Sequence, residues 1–336
     1  MRIAVAGLGF MGMTHIKAME NIAGAELAAV VSEDPKKLSG DLSAIGGNLG
    51  ISGDQMDFSG VAKYTKFDDM LRDPGIEAVD LCLPTFLHAP LAIAALRAGK
   101  HVMVEKPMGL DGDECDRMIA EAEQAGKVLM AAQVLRFWPS YVAMRETLPK
   151  LGELRSALFR RKCAGPAWAR WIRDKARSGG GVFDLVIHDA DMCIHLFGTP
   201  QMISATGYED LEHGIDTIEA NLYYNDGFVA TISGGWHHPK SYPFSMEYTV
   251  VADGGTVDYS SAGREPTLFR ADGEAEPLVL ASGDGFQAEI AYFAECAAAG
   301  REPETCKPRE SAAAVRLTKL TDEARRKNGE KVLCQL

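Results

Sequence analysis

The opening run MRIAVAGLGFMG constrains the fold more than any other stretch. A short β-branched strand runs directly into Gly7, Gly9 and Gly12, a GxGxxG spacing at the head of a helical pattern. Gly7 allows the tight turn, Gly9 lets backbone approach a pyrophosphate, and Gly12 permits close packing of helix on strand. The helix start, with Phe10 and Met11 in its first turn, offers unpaired amides to an anion. Alone the triplet is a weak signal. Here it begins a series of short apolar runs, RIAVAG, AELAAVVS, AVDLCLP, HVMVEKP and VLMAAQV, separated by segments with helical periodicity such as HIKAMENIA, PLAIAALRAG and GDECDRMIAEAEQAG. Strands apolar on both faces and joined by helices predict a parallel sheet covered on each side. The Gly-rich stretch over residues 46–60 has neither period and reads as a surface loop.

From about Leu154 the pattern changes. LRSALFRRKC, TIEANLYYN, GFVATISGGW, MEYTVVADGGTVDYSS and EPLVL are strand-like and punctuated by NDG, DGG and ADG, which predicts antiparallel hairpins. The expected fold class is therefore α/β: a Rossmann dinucleotide-binding domain over residues 1–132, then an α+β domain over 133–336 built on an open, mainly antiparallel sheet. The helical stretch ESAAAVRLTKLTDEARRKNG closes the chain, and it is expected to pack back toward the first domain.

At 336 residues and a formal net charge of −12, with scattered Lys and Arg, the chain lacks the basic patch that would recruit nucleic acid or an anionic membrane surface. Seven cysteines without a paired CxxC spacing read as reduced thiols. The apolar run at the start is too short for a signal peptide and no window approaches a membrane span. A cytoplasmic protein is expected. The second-domain sheet, with one face uncovered, predicts a homodimer or homotetramer through that sheet.

The residue about 20 positions beyond the last glycine separates the nicotinamide cofactors, because a carboxylate there binds the ribose hydroxyl of NAD and repels the extra phosphate of NADP. The sequence reads VVSEDPKK. Ser32 with Lys36 and Lys37 suits NADP, whereas Glu33 and Asp34 suit NAD. The cofactor is expected to be NAD or NADP, with NAD favoured.

A second feature needs explaining. SGGGVFDLVIHDADMCIHLFG is apolar except for Asp184, His188, Asp191 and His195, which fall along one stripe at helical pitch. An ionisable stripe on an apolar helix faces either solvent or a site, since burying it unpaired costs several kcal/mol. With LCLPTFLHAPLAIAALRAGKHVMVEKPMG and QVLRFWP preceding it, the chain resembles the glucose-fructose oxidoreductase, inositol dehydrogenase and rhizopine-catabolism family, in order and over nearly its whole length. The resemblance implies a Rossmann domain, a C-terminal open antiparallel sheet, and NAD(P)-linked chemistry on sugars or cyclitols. The family's Glu-Lys-Pro signature falls on Glu105, Lys106 and Pro107, and its Asp-x-x-x-His pair on Asp184 and His188. Two positions depart from it: Thr85 stands for the usual Asn and Ser32 for the usual Asp.

Removing hydride from a secondary alcohol needs a base of pKa near neutrality for the hydroxyl proton, which histidine supplies. His188 is the candidate base, Asp184 orients its ring or binds a second hydroxyl, and Lys106 donates to the reacting oxygen. The competing reading makes Asp184 and His188 an ordinary helix-surface pair. Cofactor contacts are expected from Gly7, Gly9, Phe10, Met11, Gly12, Ser32, Glu33, Pro84, Thr85, His88, Glu105, Lys106 and Gln133, with His88 alternatively only capping a helix. Substrate contacts are expected from Lys106, Arg136, Asp184 and His188. AWARWIRD, with Trp168, Arg170, Trp171 and Arg173, either lines a cleft or forms a surface helix, and GGWHHPKSY is a weaker sugar-binding candidate. A metal on His188, Asp191 and His195 is not expected, because the nicotinamide is the electron sink. Lys106–Pro107 is expected to be a cis peptide. Two other readings remain: an NAD-dependent lyase or glycosidase working by transient oxidation, and a non-catalytic sugar sensor.

Overall fold

The βα alternation builds a six-stranded parallel sheet in strand order β3-β2-β1-β4-β5-β6. Its strands are β1 (Arg2–Ala6), β2 (Glu26–Val31), β3 (Ala62–Tyr64), β4 (Ala78–Leu81), β5 (His101–Glu105) and β6 (Leu129–Ala132). The computed structural model describes residues 1–47, 53–166 and 170–336. Ile3, Ala4, Val5, Val79, Val102 and Val104 are all fully buried, so the strands are covered on both faces as their unbroken apolar runs require. All pairings in this sheet run parallel. Every strand therefore delivers its carboxyl end to one edge, and the order reverses between β1 and β4, the crevice where such sheets take ligands. Helices α1 (Phe10–Met19), α2 (Pro35–Leu38), α3 (Phe67–Leu71), α4 (His88–Arg97) and α5 (Gly112–Ala125) form the crossovers. Of the loop expected over 46–60, residues 48–52 lie outside the described residues, and the rest forms no named helix or strand.

The chain divides into two units that are each discontinuous in sequence: Met1–Phe137 with Gly283–Ala312, and Trp138–Ser282 with Ala313–Leu336. This differs from the single boundary drawn between residues 132 and 133. Helix α9 (Gly285–Ala299) packs against α1 in the first unit, and the first turn of the helix Pro308–Arg325 belongs there too.

The second unit holds α6 (Pro139–Thr147), β7 (Leu154–Ala164), α7 (Lys175–Ser178), α8 (Ile187–Phe197) and the strands β8 (Met202–Asp210), β9 (Ile215–Tyr223), β10 (Val229–His238), β11 (Ser245–Ala252), β12 (Gly255–Ser260), β13 (Arg264–Arg270) and β14 (Ala275–Pro277), ending in β15 (Val332–Leu333). They form one sheet in the order β14-β13-β12-β11-β7-β10-β9-β8-β15. Only β7 with β10 runs parallel; the other pairings are antiparallel. Asp253 and Gly254 make the two-residue turn between β11 and β12, as the DGG signal predicts. EPLVL does not continue as a strand: Leu278 N–H still bonds the Pro266 carbonyl, but Val279 is 93% exposed. Among the described residues, no helix is long and apolar enough to cross a membrane.

Along β7 alternate residues face inward, which buries Ala157, Phe159 and Cys163, and Arg161 with them. A guanidinium in that row needs an acid, and Asp189 of α8 supplies it bidentately: Nε to Oδ2 at 3.0 Å and Nη2 to Oδ1 at 2.9 Å. Nη2 also donates to the Tyr141 hydroxyl at 3.3 Å. Burial pushes the Asp189 carboxyl above its ordinary pKa and Arg161 pulls it part of the way back, so attraction offsets only part of the desolvation. The pair fixes α8 on β7 more than it stabilises the unit. Arg161→Met should therefore cost about 3–5 kcal/mol by leaving a buried carboxylate unpaired, while Arg161→Met with Asp189→Leu should recover most of that loss. Urea unfolding of the two variants checks this.

Candidate active site

Every residue expected at the cofactor from the first unit sits at the carboxyl-terminal edge of the parallel sheet or in the turn following it. After β1 the chain reverses at Gly7, whose φ is +99°. A Cβ there would stand 2.3 Å from the Cys82 carbonyl oxygen, and one on Gly12 would stand 1.9 Å from the Gly7 carbonyl. Both positions therefore require glycine, on conformational and steric grounds respectively. Gly9 is different. A Cβ there meets no atom of the described residues within 4 Å, so among them its backbone borders open space at the N-terminus of α1. Gly9 caps that helix without a side chain and the first turn carries no acid, so the amides of Phe10 and Met11 begin an uncapped helix end suited to a pyrophosphate.

At the end of β2, Ser32 N–H bonds the Tyr64 carbonyl, and Ser32 Oγ accepts from Asp34 N–H at 3.2 Å. Asp34 is the N-cap of α2, its Oδ1 accepting from Lys36 N–H at 2.9 Å. Asp34 is thus engaged at the helix cap, while Glu33 beside it is exposed. After β4, Pro84 precedes a single turn over Thr85–Leu87, in which Thr85 is buried. His88 does not turn outward. It is fully buried, with Nδ1 2.8 Å from the Pro107 carbonyl and Nε2 2.8 Å from the Leu83 carbonyl, and burial lowers its pKa, so the neutral ring donates its single N–H to one of the two.

β5 ends at Glu105, and the Lys106–Pro107 peptide is cis, as expected. Lys106 is half-buried and its N–H donates to Glu105 Oε2 at 2.9 Å. Glu105 is thus held within the protein rather than turned to a ligand: its Oε1 lies 3.2 Å from His15 Nε2. His15 Nδ1 lies 2.8 Å from Asp80 Oδ2, and Glu289 Oε1 of α9 is 3.8 Å from Nε2. Burial alone would discharge this imidazole, but Cys82 and Asp80 hold its pKa well above the ordinary value. Glu105 is kept low against the pull of burial by the close contact with His15 and by the charge of Lys106, whereas burial keeps Glu289 well above the usual carboxylate range. Sequence reading passed over His15, Asp80 and Glu289. The available signal was an ionisable residue inside each of three apolar runs.

Gln133, just past β6, is fully buried and its amide has no hydrogen-bond partner among the described residues, which suits a residue awaiting a ligand. Arg136, expected at the substrate, is buried instead in the first unit, with Nη1 on the Thr305 carbonyl and paired to Glu310, so it ties down the returning segment.

In the second unit Asp184 lies on a π-helical stretch, Val182–Val186, that leads into α8, where His188 is the second residue. Such widened turns concentrate at functional sites. Asp184 and His188 are half-buried, Asp191 is buried and His195 half-buried. Asp216 secures the start of this stretch: Oδ2 accepts from Val182 N–H at 3.0 Å and Oδ1 from Arg325 Nη1 at 2.6 Å. A Cβ on Gly181 would strike the Trp236 ring at 2.5 Å, which explains one of the three glycines. Trp236 is therefore core rather than a sugar contact, and Trp171 packs in the same cluster. Arg173 Nε bonds the Pro166 carbonyl, and His238 stacks on Tyr242 at 3.9 Å. Trp168 and the Arg170 side chain lie outside what is described. Among the described residues the group with metal-ligand spacing is His15, Asp80 and Cys82, already joined to one another by hydrogen bonds.

Residues 1–133 match the oxidoreductase family with an NAD-binding Rossmann fold, and residues 142–258 match the GFO/IDH/MocA C-terminal domain. The chain belongs to the GFO/IDH/MocA family. It is an NAD(P)-binding oxidoreductase. Its relatives in that family include D-xylose 1-dehydrogenase (NADP(+)) 2 of Haloferax volcanii, 27% identical over 90% of this chain and 89% of the relative. Another is scyllo-inositol 2-dehydrogenase (NAD(+)) of Bacillus subtilis, 26% identical over 90% and 87%. The aldose-aldose oxidoreductase of Caulobacter crescentus, solved with glycerol, shares the GFO/IDH/MocA fold with a TM-score of 0.85 at 24% identity, over 99% of both chains. Levoglucosan dehydrogenase, solved with NADH and levoglucosan, superposes with a TM-score of 0.84 at 18% identity, over 100% of both.

The open space at Gly9 makes a sharp prediction for this GFO/IDH/MocA chain. Gly9→Val should fold with a near-normal melting temperature, because a Cβ there meets no described atom within 4 Å, yet lose NADH binding in a fluorescence titration. Unaltered NADH affinity would remove the pyrophosphate from this turn.

Proposed function

We propose that the protein is an NAD(P)-dependent dehydrogenase or reductase of a sugar, glycoside or cyclitol, with NAD favoured. The observation that carries the reading is the uncapped α1 terminus beside Gly9, set on the same sheet edge as Lys106. Glu33, left exposed while Asp34 caps α2, supports NAD. The names of the relatives, a xylose and an inositol dehydrogenase, support a polyhydroxylated substrate.

In this reading a nicotinamide cofactor held beside Gly9 would supply the hydride acceptor for a carbinol carbon, or the donor for a carbonyl. His188 takes the hydroxyl proton, Asp184 orients the imidazole, and Lys106 donates to the reacting oxygen as negative charge develops there. Arg161–Asp189 and Asp216 hold the helix that carries the base. No metal is needed for this chemistry. The sheet of the second unit leaves Tyr208 and Phe269 exposed, 57% and 48%, which supports a homodimer or homotetramer formed through that sheet. Seven free thiols support a cytoplasmic protein.

The test is a panel of aldoses and cyclitols, with D-xylose and scyllo-inositol included, assayed for nicotinamide absorbance. Stoichiometric NAD(P)H is expected; product formation without net NAD(P)H would instead favour a lyase or glycosidase that regenerates its cofactor. His188→Ala should lower kcat by about 10² to 10⁴-fold and leave cofactor affinity nearly unchanged. Near-normal kcat in that variant would require a different base. Light scattering should show a dimer or larger at micromolar protein, and a monomer would overturn the assembly.

A further inference from the structure

Two fully buried histidines flank the Glu105–Lys106–Pro107 turn, and neither has a part in the chemistry assigned above. On one side a continuous series of contacts runs from Asp80 Oδ2 to His15 Nδ1 at 2.8 Å, from His15 Nε2 to Glu105 Oε1 at 3.2 Å, and from Glu105 Oε2 to the Lys106 N–H at 2.9 Å. On the other, His88 bridges the Leu83 and Pro107 carbonyls at 2.8 Å each, joining the end of β4 to the residue after the lysine. We propose that His15 and His88 are positioning residues for Lys106, gripping its turn through the Glu105 carboxylate and the Pro107 carbonyl so that the ammonium meets the reacting oxygen in register. The inference deepens the proposed function and rests on its reading of Lys106 as the donor.

Packing alone does not account for the cluster. Helix α1 could be held to the sheet by apolar side chains at lower cost than by His15, Asp80, Glu105 and Glu289, all less than a tenth exposed. What an ionic cluster adds is a fixed geometry for Glu105, and misplacing a catalytic group by about 1 Å costs about 10²-fold in rate. The groups facing His15 come from each element around it: Asp80 of β4 and Cys82 just beyond it, Glu105 of β5, and Glu289 of α9, whose two oxygens have no hydrogen-bond partner among the described residues. Asp284, at the N-cap of α9, and Lys106 act on the cluster through charge. The grip on Glu105 is strongest while His15 is an imidazolium, so it weakens as alkaline pH removes that proton.

The whole enzyme with saturating NAD is assayed on whichever of D-xylose and scyllo-inositol it turns over faster, and Lys106 acylation by acetic anhydride is followed against pH by mass spectrometry. His15→Asn keeps a donor toward Asp80 and loses the one facing Glu105. It should lower kcat about 10²-fold, leave KM and NAD affinity within about threefold, and move both the alkaline limb of kcat and the acylation profile of Lys106. His15→Gln, which returns a donor near the Nε2 position, should recover much of the rate. Should His15→Asn fail to fold, His88→Gln, which loses the contact with the Pro107 carbonyl, carries the same comparison, with a shifted acylation profile expected. Folded variants with wild-type kcat and an unmoved acylation profile would overturn the proposal. Lys106→Ala separates the two claims: if it is inactive while the histidine variants are normal, only the positioning role falls. If it keeps its rate, the assignment of Lys106 falls and the positioning role with it.

Discussion

The carbonyl oxygen of Cys82 stands 2.3 Å from the point where any side chain on residue 7 would begin, and that steric conflict organises the first unit. Because Gly7 tolerates both the approach and a φ of +99°, the chain reverses between β1 and α1 against the end of β4. The reversal places the N-terminus of α1 at the strand-order switch point, where uncapped amides and the Gly9 backbone border open space. It also sets His15, one turn into the helix, against Asp80 and Glu105 of the neighbouring strands. The uncapped start of α1 and the contact of His15 with Glu105 are thus two consequences of one backbone reversal.

Both units add buried ionic contacts to the apolar packing of their chemistry-bearing elements. Arg161 with Asp189, and Asp216 with Arg325, fix the stretch that carries Asp184 and His188, and the His15 cluster fixes the end of β5. Such contacts contribute little net stability, since attraction barely repays desolvation. They do specify direction, because a bidentate guanidinium–carboxylate pair has one geometry and a leucine contact has many. On this account the interior polar residues are there to hold Lys106 and His188 in place.

The parts of this arrangement that were legible in the sequence are those with a local cause. Gly12 is dictated by the Gly7 carbonyl of the same turn, Gly7 by the left-handed reversal that its spacing signals, and the parallel sheet by runs such as Ile3–Val5 that are apolar at every position. The hairpin at Asp253 and Gly254 is a property of that dipeptide. The return of Gly283–Ala312 to the first unit was not legible, because GFQAEIAYFAECAAA is an apolar helix that any core could accept. Glu289 within it marks a polar partner without naming His15, and Arg136 read as a substrate contact because its acid, Glu310, is 174 residues away. Arg161 was detectable in principle: the alternation of Ala157, Phe159 and Cys163 places it on the buried face.

The central claim is that this sheet edge holds a nicotinamide to which a carbinol hydrogen is passed. The most direct measurement uses the substrate found in the panel, deuterated at the carbon to be oxidised, with the nicotinamide product isolated and weighed by mass spectrometry. The account predicts reduced cofactor that carries the deuterium, formed more slowly than from the unlabelled substrate. Product formed with the deuterium released to water or kept in the sugar, and no labelled reduced cofactor, would contradict it.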